Sequence, residues 1–219
     1  MIKKPLNIVY MGTPEFAVAP LDTLLNNGYK ISAVITSPDK PAGRGLKINE
    51  SSVKKYAVEH GLKVLQPTNL KSPEFIDELK SINPDLQIVV AFRMLPEILW
   101  KLPVIGTFNL HASLLPQYRG AAPINWAIIN GESKTGVTTF FINENIDTGN
   151  IIMAQEEKIL PDDTAGELHD RLMKTGAGLV LKTVRSVEIN NYNATPQNSM
   201  FSEFSDLKIA PKIFKNTCK

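Results

Sequence analysis

The sequence predicts an α/β fold, a Rossmann-like three-layer αβα sandwich around a mostly parallel but mixed sheet. Three observations predict it. Short apolar runs alternate with stretches of helical periodicity from the start of the chain, as in successive βαβ units. The run from Leu86 to Phe92 is continuously apolar, the pattern of a strand covered on both faces. Late in the chain, Gly136 to Asn143 and Asn150 to Ile159 read as two strands around a Gly-containing turn, which adds an antiparallel part to the sheet.

Leu6 to Met11 is the first strand. Thr13 offers a helix N-cap with Pro14 at the first helical position, and Phe16, Ala17, Val18, Leu21, Leu24 and Leu25 form an apolar face that Gly28 terminates. Ile31 to Thr36 is the second strand. Ser51 or Ser52 opens a helix that ends at Gly61, Val64-Leu65 is a short strand, and Ser72-Pro73-Glu74 caps a third helix through Ile82. After the buried run to Phe92, a further strand ends at His111, and Pro123 to Asn130 is a helix stopped by Gly131. Thr164 and Glu167 have capping-box spacing before a long helix whose Leu168, Leu172, Leu179, Val180, Val184 and Val187 recur near helical period. From Asn190 the chain turns polar and turn-rich, which divides it into a domain over 1–189 and a linker or arm over 190–219.

Composition narrows the function classes. A chain of 219 residues suits one well-buried core with a short appendage. A formal net charge of +2 falls well short of a tail that neutralises many phosphates, so any RNA contact comes from a local patch. Cys218 is the only cysteine, which excludes an internal disulfide and suits a reducing cytoplasm. His60, His111 and His169 are scattered without Cys/His spacing, so no metal site is expected. Lys3-Lys4 before Leu6 to Met11 resembles a signal-peptide start, but Asn7 and Gly12-Thr13-Pro14 leave its apolar core too short, and no apolar run approaches membrane-spanning length.

Chemistry concentrates around Asn109 and His111. Strand alternation puts both on one face at the carboxyl end of a strand, where α/β sheets bind ligands. Alone, an Asn-x-His pair more often satisfies backbone groups at a strand end. Asp147-Thr148-Gly149 alone is a turn, and without a second such tripeptide it lacks the paired carboxylates of an aspartic protease. Ser113 lacks nucleophile-elbow spacing and reads as loop-shaping, with Leu114 and Leu115 as packing. Lys40, Arg44 and Lys47, in a loop with Gly43 and Gly45, and Arg119, in a Pro-bounded loop, read first as solvated charges.

The words around these residues resemble the folate-dependent formyltransferases across almost the whole chain. The resemblance takes in Asp147-Thr148-Gly149, and Asn109-x-His111 with Ser113-Leu114-Leu115-Pro116 marks the family broadly. It also takes in Ser37 to Gly45, Tyr118 to Ile124 and Thr135 to Thr139, and Gly12-Thr13-Pro14-Glu15-Phe16 with Arg119-Gly120-Ala121-Ala122-Pro123 marks the branch acting on methionyl initiator tRNA. The resemblance implies transfer of the formyl group of 10-formyltetrahydrofolate to the α-amino group of methionine on that tRNA, in the cytoplasm, by an enzyme expected to be monomeric. Such a transfer passes through a tetrahedral centre, which needs a donor for its oxygen and an acceptor for the proton of the attacking amine. By resemblance Asn109, His111 and Asp147 form the catalytic trio. Asn109 then donates to the formyl oxygen, His111 donates or shuttles protons, and Asp147 stabilises the imidazolium and relays the amine's proton through water.

By the same resemblance Phe92, Arg93, Met94 and Leu95, with Ser113, Leu114, Leu115 and Pro116, line the folate slot. The first segment departs from the common family pattern: it has no glycine and is one residue shorter, so Arg93 either meets a charged part of the folate or faces solvent. Lys40, Arg44, Lys47 and Arg119 correspond to residues that engage tRNA. The family also carries a small β-rich domain after such a linker, whereas this sequence ends at Lys219.

Competing readings stay open. A glycinamide ribonucleotide formyltransferase shares the trio but wants a Gly/Ser/Asn-rich phosphate turn after strand one, where this chain has Glu15. A Rossmann nucleotide-binding module lacks its Gly-x-Gly-x-x-Gly fingerprint. A noncatalytic RNA-binding module is disfavoured by the bland charge.

Overall fold

The computed structural model describes residues 5–42, 47–199 and 206–214. The chain divides into two compact units, residues 1–109 and 110–219. Within the first, β1 (Ile8–Gly12) is buried along its whole length. It pairs in parallel with β2 (Ile31–Ile35) on one side and with β6 (Leu86–Val90) on the other. β3 (Lys40–Ala42) and β4 (Lys47–Asn49) form a separate antiparallel pair. β5 (Val64–Leu65) extends the parallel set beyond β2. Burial of every residue of β1 and β6 matches their unbroken apolar runs and explains why neither alternates.

The first helix departs from the sequence expectation. Thr13 does not cap it and Pro14 is not its first residue; a 3-10 turn at Glu15–Ala17 comes first and α1 runs Val18–Asn26. Pro20 accounts for this. A helix begun at Pro14 would place Pro20 in its interior, whereas a start at Val18 puts it in the first turn, where its missing N–H costs nothing. α2 (Ser52–Glu59) and α3 (Pro73–Ile82) are capped as predicted, with Ser51 Oγ accepting from the Lys54 N–H and Ser72 Oγ from the Phe75 N–H. The short α4 (Glu97–Trp100), which no periodicity announced, precedes β7 (Gly106–His111).

In the second unit β8 (Arg119–Gly120) is a two-residue strand and α5 (Pro123–Ile129) begins on its proline as predicted. β9 (Lys134–Phe141) and β10 (Ile151–Lys158) pair antiparallel, which gives the expected mixed sheet. The main sheet has seven strands in the order β10-β9-β7-β6-β1-β2-β5. α6 (Ala165–Glu188) starts on a complete Thr164/Glu167 capping box, packs on β9 and β10, and buries all six predicted apolar residues.

The segment after α6 does not trail away. Thr195 and Ile151 exchange two backbone hydrogen bonds of 2.8 Å each. β11 (Ile209–Ala210) pairs in parallel with β8. No helix among the described residues is long and apolar enough to cross a membrane.

Candidate active site

β7 delivers the first two candidates. Asn109, half-buried, and His111, 6 % exposed, stand two residues apart on this strand and so emerge on the same face. His111 Nε2 lies 2.8 Å from the carbonyl oxygen of Tyr118. A carbonyl only accepts, so this bond assigns a ring proton to Nε2 and leaves Nδ1 as the nitrogen facing Asp147. Nδ1 lies 3.7 Å from Asp147 Oδ2, with both side chains largely buried. That spacing is an ion pair whenever the ring is charged, and it is too long for a hydrogen bond.

Asp147 sits in the turn between β9 and β10 and adopts a left-handed backbone, φ +53. For an L-residue this costs about 1–2 kcal/mol, least for Asp and Asn. Several contacts hold it there. The Gly120 N–H donates to Asp147 Oδ2 at 2.9 Å, and Gln197 Nε2 donates to the Asp147 carbonyl at 2.9 Å. Two residues on, a Cβ at Gly149 would lie 1.6 Å from the Phe141 carbonyl oxygen, so the turn closes only on glycine. Asp147-Thr148-Gly149 is therefore both the turn its composition suggests and the mount of a carboxylate aimed at His111.

The loop between β7 and β8 is built on its own side chains. Ser113, fully buried, donates from Oγ to the Gln117 carbonyl at 2.6 Å, and its own carbonyl accepts from Thr138 Oγ1 at 2.7 Å. Leu115 packs in a buried cluster with Phe140 and Ile151 and joins the buried Pro116 through a cis peptide bond; Leu114 is half-buried. Of the four residues matched to the folate slot here, Ser113 and Leu115 are thus committed to shaping and filling the loop. Tyr118, φ +60, has its hydroxyl at Glu132 and accepts from Asn130 Nδ2 at 3.0 Å. Burial first, and then the Glu132 carboxylate, push the Tyr118 hydroxyl up.

Arg119 is half-buried and donates to Gln197 Oε1 from Nε at 3.0 Å and from Nη2 at 2.5 Å. Burial lowers its guanidinium from the ordinary value, with Asp147 opposing that. An arginine expected to reach for tRNA is here part of the scaffold around Asp147.

The second folate segment lies just beyond β6. Ala91 takes φ +47 and residues 91–96 lie outside any helix or strand. Leu95 is buried, Phe92 half-buried, and Met94 is 66 % exposed. The Arg93 guanidinium stacks 5.5 Å from the Phe92 ring centroid and donates to the Pro67 and Thr68 carbonyls, the latter at 3.2 Å. Lys40 is exposed on β3 and Lys47 belongs to β4. Arg44 lies outside the described residues. Among the described residues no group of three or more His, Cys, Asp or Glu side chains could hold a metal ion.

An imidazole with one nitrogen fixed as donor and a carboxylate facing the other suit acyl chemistry at a carbonyl-like carbon. Known proteins bear on that chemistry directly. The formyl transferase family model matches residues 6–184. The chain belongs to the formyl transferase family. Among its relatives, the methionyl-tRNA formyltransferase of Flavobacterium johnsoniae is 58 % identical over 214 residues, spanning 98 % of this chain and 67 % of its own. That of Bacteroides fragilis is 55 % identical over 219 residues, spanning 100 % and 67 %. Among solved structures, the N-formyltransferase of Helicobacter canadensis, in complex with folinic acid and dTDP-3-aminofucose, superposes with a TM-score of 0.70 at 27 % identity, covering 94 % of this chain and 71 % of its own. Glycinamide ribonucleotide transformylase 1 of Symbiobacterium toebii reaches a TM-score of 0.74 at 16 % identity, covering 87 % and 94 %, and speaks for the fold alone.

Sequence reasoning missed Gln197, Gly120 as the donor to Asp147, and Tyr118 as the acceptor for His111. No local pattern marks Gln197, because its partners come from residues 119, 147 and 149.

Proposed function

We propose that this formyl transferase moves the formyl group of 10-formyltetrahydrofolate onto the α-amino group of methionine esterified to initiator tRNA. The observation that carries the acceptor is the identity of 52–58 % to methionyl-tRNA formyltransferases along nearly the full chain. His111 facing Asp147 at 3.7 Å supports the chemistry. In this reading residues 1–189 form the catalytic domain, acting as a monomer in the cytoplasm.

Asn109 directs its carboxamide N–H at the formyl oxygen and stabilises the charge that grows there, a role worth ~10²–10³ in rate. His111 carries the exchanging proton on Nδ1 while Tyr118 holds Nε2. Asp147 stabilises the imidazolium and receives, through water, the proton shed by the attacking amine. The irregular segment 91–96 presents main-chain donors and acceptors that suit a pterin edge beside the apolar Phe92 and Leu95. Arg93 keeps that segment in place through Pro67 and Thr68. Lys40, Arg44 and Lys47 supply the positive charge that meets tRNA phosphates.

The test offers 10-formyltetrahydrofolate with methionyl initiator tRNA, glycinamide ribonucleotide or a dTDP-linked amino sugar in separate reactions. Formylmethionyl-tRNA alone is the expected product. Formylation of either small acceptor without the tRNA product would reassign the substrate.

A further inference from the structure

We propose that two stretches following α6, residues 195–199 and 206–211, are a positioning strap for the active site, with Gln197 as the residue that locks Asp147. The proposal rests on the formyl-transfer reading for its consequence in turnover, and on geometry for the strap itself.

Gln197 is 1 % exposed and fully paired. Its Nε2 donates to the Asp147 carbonyl at 2.9 Å and the Gly149 carbonyl at 2.8 Å, while Oε1 accepts two bonds from Arg119. Carbonyls only accept and guanidinium only donates, so the orientation of the amide is uniquely set. No other side chain of this length offers two donors and a double acceptor. The amide thus grips the turn on both sides of Thr148 and ties it to Arg119, whose neighbour Gly120 donates to the Asp147 carboxylate.

Further along, the second stretch holds the other half of the pair. The Tyr118 N–H donates to the Lys208 carbonyl at 2.7 Å, and the Ala121 and Ala122 N–H groups donate to the Ala210 carbonyl at 2.7 and 3.1 Å. The Lys208 ammonium meets Glu132, which accepts from the Tyr118 hydroxyl. Tyr118 is thereby fixed through its main chain and its side chain, and its carbonyl is the group that sets the His111 tautomer. A Cβ at Gly120, φ +122, would lie 2.5 Å from the Ala210 carbonyl oxygen, so β8 is shaped to receive this strand. The two stretches, distant in sequence, therefore reach His111 through Tyr118 and Asp147 through Gln197. They contribute no atom to the reaction.

The experiment compares the 219-residue chain with Gln197→Glu and Gln197→Met. Glu keeps the length and the acceptors for Arg119 but loses both donors to the turn; Met keeps the length alone. Three readouts are taken: steady-state formyl transfer, thermal melting, and the ¹⁵N shifts of the His111 ring at one pH, assigned with a His111→Gln control. The expected result is a turnover lower by ~10–100-fold, the scale of an ångström-level misplacement. The KM for the formyl donor stays within about twofold, the variants remain folded, and the His111 ring nitrogens shift. Turnover within about twofold of the unaltered chain in a folded variant would overturn the proposal. Should Glu prevent folding, Met decides; failure of both to fold would make Gln197 a scaffold residue and overturn it. If the unaltered chain transfers no formyl group, the functional reading fails instead, and the His111 shifts alone judge the strap: altered shifts support it and unaltered ones overturn it.

Discussion

Replacing Asp147 by Asn removes one charge while leaving its mount nearly intact. The amide oxygen of Asn still accepts from the Gly120 N–H, and the main-chain bond from Gln197 is untouched. What disappears is attraction between a carboxylate and a proton on His111 Nδ1, 3.7 Å away. A unit pair at that distance interacts by roughly 4.5 kcal/mol at an effective dielectric of ~20 and by roughly 1 kcal/mol in bulk water. Side-chain exposures of 7 % for His111 and 15 % for Asp147 place the pair nearer the protein limit. A loss of about 2–4 kcal/mol follows, which is ~30- to 10³-fold in turnover. It falls on kcat, because the imidazolium is required only as the proton moves, and the KM for the formyl donor changes little. Single-turnover formyl transfer with saturating donor, measured beside thermal melting, checks this. An Asn variant that stays within about threefold of the unaltered chain would refute the role given to Asp147.

Other expectations follow from the same site and from the proposed tRNA contact. His111→Ala lowers turnover by ~10²–10⁴; loss of the bond to the Tyr118 carbonyl costs about 1–3 kcal/mol of stability, and circular dichroism should show the variant folded. Arg44→Ala weakens formylation of charged tRNA while leaving folate binding intact, so lost folate affinity in a binding titration would contradict the tRNA role. Gly149→Ala forces the turn apart and costs about 3 kcal/mol or more, seen as a melting point lower by roughly 6 °C or more. The Lys208 ammonium, and then the Tyr118 hydroxyl, hold the Glu132 carboxyl below its ordinary value. A depressed carboxyl contributes stability above its unfolded value, near about 4.3, and loses it as pH falls through the lower folded value. Glu132→Gln should therefore flatten the fall in melting point below about pH 4.

What the sequence carried and what it hid divide along contact distance. Asn109 and His111 were legible as a pair because two residues on one strand share a face, a fact of local geometry. The Thr164/Glu167 box was legible because its two bonds lie within four residues. Thr13 misled because an N-cap pattern ignores a proline seven residues on, and Pro20 decided where the helix could start. β8 and β11 are two residues each and about ninety residues apart, too short to show alternation and too distant for turn chemistry to announce. Gln197 is the extreme case. Its environment of polar, turn-forming neighbours describes a linker, and it is buried only because three backbone or guanidinium partners elsewhere need an amide of its length. Polar composition reports what a segment can do without a core; it is silent on whether a polar site is waiting for it. A carboxylate mounted on a strained turn and facing a buried imidazole is such a site, because each group that fixes Asp147 must itself be polar and dry. Residues most able to tune the chemistry are then those that composition assigns to solvent.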